Sequence, residues 1–139
     1  MGKRKLKVVF DTNVLISALG WSGPPSDCLD LVVEEKILNF ISRPILEELI
    51  EVMNYPKFKF SENEKEQFIE LLISYSILVE PEKDLEVIEE DPDDNKFLEC
   101  SLKADVDYII SGDQHLLDLE RYEGIEIIDP KEFIEISPY

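Results

Sequence analysis

The sequence predicts an α/β fold, a three-layer arrangement with a parallel sheet between helices, and two observations carry it. Short apolar runs of strand length alternate with amphipathic stretches of helix length, and helix start and stop signals fall between them. Parallel strands follow because nearly every strand-to-strand connection contains a helix. The length of 139 residues, 44% of them hydrophobic, fits a single domain over 1–139. Folding at that size removes roughly 68% of the unfolded chain's surface from water, enough for a core without staples.

Taken in order, the strands are expected at residues 6–10, 37–41, 77–79, 108–110 and 125–128, each an apolar run bounded by polar or turn residues. Helical patterns occupy residues 14–19, 28–35, 45–53, 64–75, 97–104 and 115–119. Ser61 with Glu64 forms the spacing of a capping box, and Asp129, Pro130 and Glu132 repeat that logic before a last short helix. Breaks fall at residues 20–25 and 54–57, and residues 81–93 carry no assignable pattern.

The formal net charge is -18, which excludes a simple basic glove for nucleic acid, because phosphates are repelled by such a surface. The excess is confined to one part of the chain. Residues 1–60 hold 8 Lys+Arg and 8 Asp+Glu, whereas residues 61–139 hold 6 and 24. No apolar run approaches the ~20 residues that span a bilayer. The basic start leads straight into a strand, without the apolar region of a secretory signal, so a cytoplasmic protein with no membrane partner is expected. Cys28 and Cys100 lie in helical patterns without metal-ligand spacing and read as reduced core thiols.

In a doubly wound sheet, polar residues just beyond the carboxyl ends of the strands converge on one crevice. Asp11 follows the first strand, and Ser111, Gly112 and Asp113 follow the fourth. After the second strand, Ser42, Arg43 and Pro44 open a helix carrying Glu47 and Glu48, and Asp93 and Asp94 open the helix before the fourth strand. Clustered carboxylates in a low-dielectric crevice repel one another and take up protons or hard divalent cations such as Mg2+ or Mn2+. Each acid also has a plainer reading. Asp11, Asp94 and Asp113 suit helix N-caps, and Glu47 and Glu48 suit a solvated surface. His115, the sole histidine, reads as a residue at a helix start because no serine or cysteine nucleophile accompanies it. Trp21, among Gly20, Ser22 and Gly23, is either an exposed contact or a packed loop plug.

The run from Val9 to Leu15, the run from Ser42 to Leu49, the cluster Asp91-Pro92-Asp93-Asp94-Asn95 and the run from Asp107 to Asp113 together resemble the PIN domain family. More narrowly, they resemble PIN proteins described as the toxin components of toxin-antitoxin systems. The likeness covers residues 7–130. It implies a metal-dependent ribonuclease with a five-stranded parallel sheet of order 3-2-1-4-5, which sets strands one and four side by side. Carried over position by position, it implies Asp11, Glu48, Asp94 and Asp113 as catalytic metal ligands for Mg2+ or Mn2+. Ser111 falls at the family's Ser/Thr position, Asn13 supports Asp11, and Ser42, Asp91 and Asp93 are supporting neighbours. Glu48 is preferred to Glu47 because the family's acid precedes the leucine matched by Leu49. The resemblance further implies an RNA substrate cut to leave a 5' phosphate and a 3' hydroxyl, an antitoxin protein as partner, and a dimer or larger homo-oligomer. Arg43, Lys57 and Lys59 lie in the charge-balanced part and suit contacts to an RNA backbone.

Two other classes stay open beside it. An aspartate-dependent phosphatase or phosphotransferase also places Asp after its first strand, but commonly uses a second Asp two residues on, where this chain has Asn13. A non-catalytic module of the same fold would work through an interface alone.

Overall fold

A computed structural model describes residues 4–82 and 94–139. At its centre is strand β1 (Lys7–Phe10), whose Val8, Val9 and Phe10 are all buried. A strand covered on both faces has no reason to alternate apolar with polar residues, which is why this one reads as a continuous apolar run. Helices α1 (Thr12–Gly20) and α2 (Pro24–Val33) follow, then strand β2 (Leu38–Ser42), helix α3 (Arg43–Met53), and helix α4 (Glu62–Tyr75) after a single 3-10 turn. Strand β3 (Ser76–Val79) completes the first part of the chain. The second part holds α5 (Asn95–Ala104), β4 (Tyr108–Ile110), α6 (Gln114–Leu117), β5 (Arg121–Tyr122), β6 (Ile125–Ile128) and α7 (Pro130–Ile136).

The strand order is β3-β2-β1-β4-β6-β5. The parallel pairs align Lys7 with Leu38, Val9 with Ile109, Phe40 with Ile77 and Ile109 with Ile127. The expected order of five parallel strands is therefore present, with the predicted fifth strand appearing as β6. The difference is β5, two residues that pair antiparallel to β6, Tyr122 opposite Ile125. Its cause is a two-residue turn at Glu123 and Gly124, with φ of 51° and 83°. Two positive φ values in succession match the twist of a tight hairpin, and a strand this short leaves no apolar run to detect.

Side chains alternate across the sheet and split the core in two. Val8, Phe10 and Ile110 face α1, α2, α4 and α7, where Val14, Leu15, Phe68, Leu72 and Phe133 are buried. Val9, Phe40 and Ile109 face the other way, onto Ile45, Phe97, Leu98 and Leu116 of α3, α5 and α6. Cys28 lies in the first cluster and Cys100 in the second, and burial pushes both thiols up to about 12.

The caps decide where helices begin. α2 starts at Pro24, four residues before the apolar pattern shows it, because proline suits the first helical turn. In α4 both halves of the capping box form: the Ser61 N–H donates to Glu64 at 2.9 Å, and the Glu64 N–H donates to the Ser61 hydroxyl at 3.0 Å. α6 stops at Leu117, two residues short of the expected end. Trp21, 58% exposed, sits edge-on to Phe58 with ring centroids 6.4 Å apart, and Phe58 stacks on Phe60. It is thus both exposed and packed on one side.

Candidate metal centre

The carboxyl ends of β1, β2 and β4 meet at one edge of the sheet, and a crevice of about 140 Å³ opens there. Asp11, Thr12, Asn13, Glu48, Asp94 and Asp113 line it, together with Val52 and Phe97. Acids from four separate stretches of chain are thus gathered in one place.

Asp11 is 2% exposed. Its backbone N–H donates to the Ile110 carbonyl at 3.1 Å, tying β1 to β4. One carboxylate oxygen accepts the Val14 N–H at 2.8 Å, capping α1; the other accepts the Gly112 N–H at 3.0 Å and the Ser111 hydroxyl. Capping explains why α1 begins at Thr12, and it does not remove the acid from the crevice. Burial raises the Asp11 carboxyl pKa; the hydrogen bonds from Ser111, Val14 and Gly112 oppose that, and the Asp113 charge adds to it.

Ser111 is fully buried and works in both directions, donating to Asp11 and accepting the Asp113 N–H at 2.9 Å. Asp113 in turn caps α6, accepting the His115 N–H at 2.7 Å. Glu48 has both oxygens engaged: one accepts the Thr12 hydroxyl, the other the Lys96 ammonium at 3.0 Å, in a partly buried ion pair. Glu47, one residue earlier, is exposed and does not line the crevice. Asp94 is buried beside α5, and its side chain does not cap that helix.

The remaining predicted residues divide. Asn13 is exposed at the mouth of the crevice. Ser42 is buried and caps α3 by accepting the Ile45 N–H at 3.4 Å, so it shapes the helix that carries Glu48 and does not line the crevice. Arg43, Lys57 and Lys59 are exposed and stand outside the crevice lining, with the Lys57 ammonium 5.1 Å from the centre of the Phe58 ring. Asp91 and Asp93 lie outside the described residues.

Three residues in or beside this site stand outside the expected ligand set, His115 having been expected only as a residue at a helix start. Thr12 adjoins Asp11 and gave itself away only by position. Lys96 is 48 residues from Glu48, so their pairing emerges only when α3 packs against α5. His115 stands with its Nδ1 3.9 Å from an Asp113 oxygen. Asp94, Asp113 and His115 each offer one ligand atom, all within 4.8 Å of one another, and this donor set fits a divalent cation.

A mostly parallel sheet of this order with acids at its carboxyl edge defines a recognisable class. The PIN domain profile matches residues 7–115, from β1 to the start of α6, and the chain belongs to the PIN domain family. Over 147 residues it is 37% identical to a protein of Methanocaldococcus jannaschii described as uncharacterized, an alignment covering 97% of this chain and 94% of that one. PIN domains are generally nucleases and typically use divalent metals. Among the described residues, no helix is long and apolar enough to cross a membrane.

Proposed function

We propose that this chain is a Mg2+- or Mn2+-dependent endoribonuclease with Asp11, Glu48, Asp94 and Asp113 as its metal-binding carboxylates. The observation that supports this reading above others is that these acids, brought from four stretches of the sequence, line one crevice at the carboxyl edge of the sheet. A divalent ion held there supplies a bound water of lowered pKa and a positive charge beside the developing phosphate oxyanions.

The chain's own groups set the stage for that chemistry. Three donors fix Asp11 so that its carboxylate cannot swing away from the crevice, and Ser111 couples its position to that of Asp113. Thr12 and Lys96 hold Glu48 in place at the crevice, and Lys96 brings a positive charge to it. Asn13 at the mouth suits hydrogen bonding to substrate, whereas its amide cannot serve as the general acid of a phosphotransferase. Exposed Arg43, Lys57 and Lys59 are available to the phosphates of an RNA strand, whose approach to a -18 chain depends on such local cations. By the same resemblance the nuclease is the toxin of a toxin-antitoxin pair and works as a dimer or larger homo-oligomer.

The reading is tested by incubating end-labelled RNA with the purified protein and Mg2+ or Mn2+, with a chelator control. Asp113→Asn and Asp94→Asn should each lower cleavage by about 10²-fold or more, because an amide keeps the volume and removes the charge that holds the ion. Glu123→Gln, at an exposed turn, should cut at the wild-type rate. Cleavage that persists in chelator, or in both aspartate variants, refutes the assignment. Wild-type light scattering at tens of micromolar should give at least twice the chain's mass.

A further inference from the structure

We propose that His115 is a nitrogen ligand of the divalent cation, acting beside Asp94 and Asp113, and that this site therefore favours Mn2+ and Co2+ over Mg2+ more strongly than carboxylates alone would. The inference rests on the metal-dependent reading above and adds to it the identity of one ligand and the class of ion preferred.

Acids of the crevice already accept hydrogen bonds: Asp11 from Val14, Ser111 and Gly112, Glu48 from Thr12 and Lys96, and Asp113 from the His115 N–H. What sets Asp94, Asp113 and His115 apart among the described residues is that each offers a ligand atom and these atoms lie mutually within 4.8 Å. Donors bound to a single ion at ~2.1 Å stand at most about 4.2 Å apart, so closure around an ion needs only a small movement.

His115 is the group free to make that movement. Its backbone is fixed over the site, since its N–H donates to Asp113 at 2.7 Å, while its side chain is 44% exposed and its Nδ1 stands 3.9 Å from that same Asp113 oxygen. A half-exposed imidazole can turn about its side-chain bonds at little cost in packing. Its chemistry sets the consequence. Mg2+ prefers oxygen ligands and sheds its waters reluctantly, whereas imidazole nitrogen binds first-row transition ions more strongly, increasingly so from Mn2+ to Co2+. One nitrogen among oxygens thus tilts selectivity without closing the site to Mg2+.

His115 is the only histidine of the chain, which allows a test on the wild-type sequence, freed of any purification tag. Pulsed EPR of the Mn2+-loaded protein should show a directly bound 14N, replaced by the 15N signature when histidine alone is labelled. By calorimetric titration of metal-free protein, His115→Ala should weaken Co2+ binding about tenfold, Mn2+ less, and Mg2+ by no more than about twofold. Asp113→Asn should weaken all three. A Mn2+ spectrum without histidine nitrogen, or a His115→Ala variant with wild-type selectivity, overturns the ligand assignment while leaving the carboxylate site standing. Undiminished binding of all three ions by Asp113→Asn overturns both.

Discussion

Asp11 and Asp107 stand at opposite ends of the same pair of central strands, and the contrast between them shows how the donors around an acid set its charge balance. Each ties β1 to β4. The Asp11 N–H reaches Ile110, and at the other end the Asp107 carboxylate accepts the Lys7 N–H at 2.8 Å. Asp107 also receives two hydrogen bonds from the Arg4 guanidinium, at 2.5 and 3.0 Å. Desolvation pushes the Asp107 carboxyl up, but the bonds from Arg4 and Lys7 and their charges outweigh it, and its pKa lies below the ordinary value. Asp11 accepts a similar number of hydrogen bonds, all from uncharged donors, and desolvation wins. Asp107 has its counter-charge within the fold, in Arg4. Asp11, hydrogen-bonded to uncharged donors among the described residues, keeps an electrostatic deficit that a cation would relieve.

The largest way to break this contrast is metal itself. At constant ionic strength, Mg2+ or Mn2+ at a hundred times Kd should stabilise the fold by about 2.7 kcal/mol, a rise in thermal midpoint on the order of 10 °C. Asp107→Asn should keep that increment and Asp113→Asn should lose most of it. Equal gains in all three would mean that the ion merely screens the diffuse charge of the chain.

Next in size is Lys96, the internal cation of the crevice. In metal-free protein, Lys96→Met leaves Glu48 facing Thr12 alone and should cost about 1–2 kcal/mol in denaturant unfolding, less than a fully buried pair because both side chains keep some solvent contact. Adding Glu48→Gln should recover most of the loss, and additive effects of the two changes would mean that the pair is not coupled.

The smallest effect belongs to Asp107, and its sign can be read in advance. Its folded pKa lies below the ordinary 3.8, so the stability it contributes is complete above about pH 4 and fades as pH falls through the folded value. Asp107→Asn should therefore lower the thermal midpoint slightly at pH 7 and match wild type once the pH lies below the folded value. Asp11 runs the opposite way. With a raised folded pKa, its contribution is most favourable below the ordinary value and is lost as pH rises from that value through the folded one, so metal-free protein should lose some stability across that window.

How much of this was legible depends on how local each signal is. The strands, the helices between them, and the acids at the strand ends could be read because each rests on a few adjacent residues: Asp11 directly follows Phe10, and Asp113 stands three residues after Ile110; the strand order came only with the resemblance to the PIN family. Capping and metal binding looked like rival explanations of Asp11 and Asp113, yet one carboxylate can cap a helix with one oxygen and face a crevice with the rest of its surface. The Lys96 pair and the gathering of His115 with Asp94 were not legible, since they depend on how α3, α5 and α6 pack across the sheet edge. β5 escaped because a two-residue strand made by a turn has no periodicity of its own.

The placement of the two thiols has a practical corollary. Cys28 and Cys100 are buried in separate clusters on opposite faces of the sheet, so they cannot reach each other to form a cross-link. With pKa values near 12, only about one in ten thousand or fewer of either is thiolate at neutral pH, and thiolate is the species that reacts. Maleimide reagents should pass both by while the fold holds. A single cysteine introduced at the crevice mouth could then carry a fluorophore or spin label with almost no background, reporting substrate arrival in an otherwise unaltered chain.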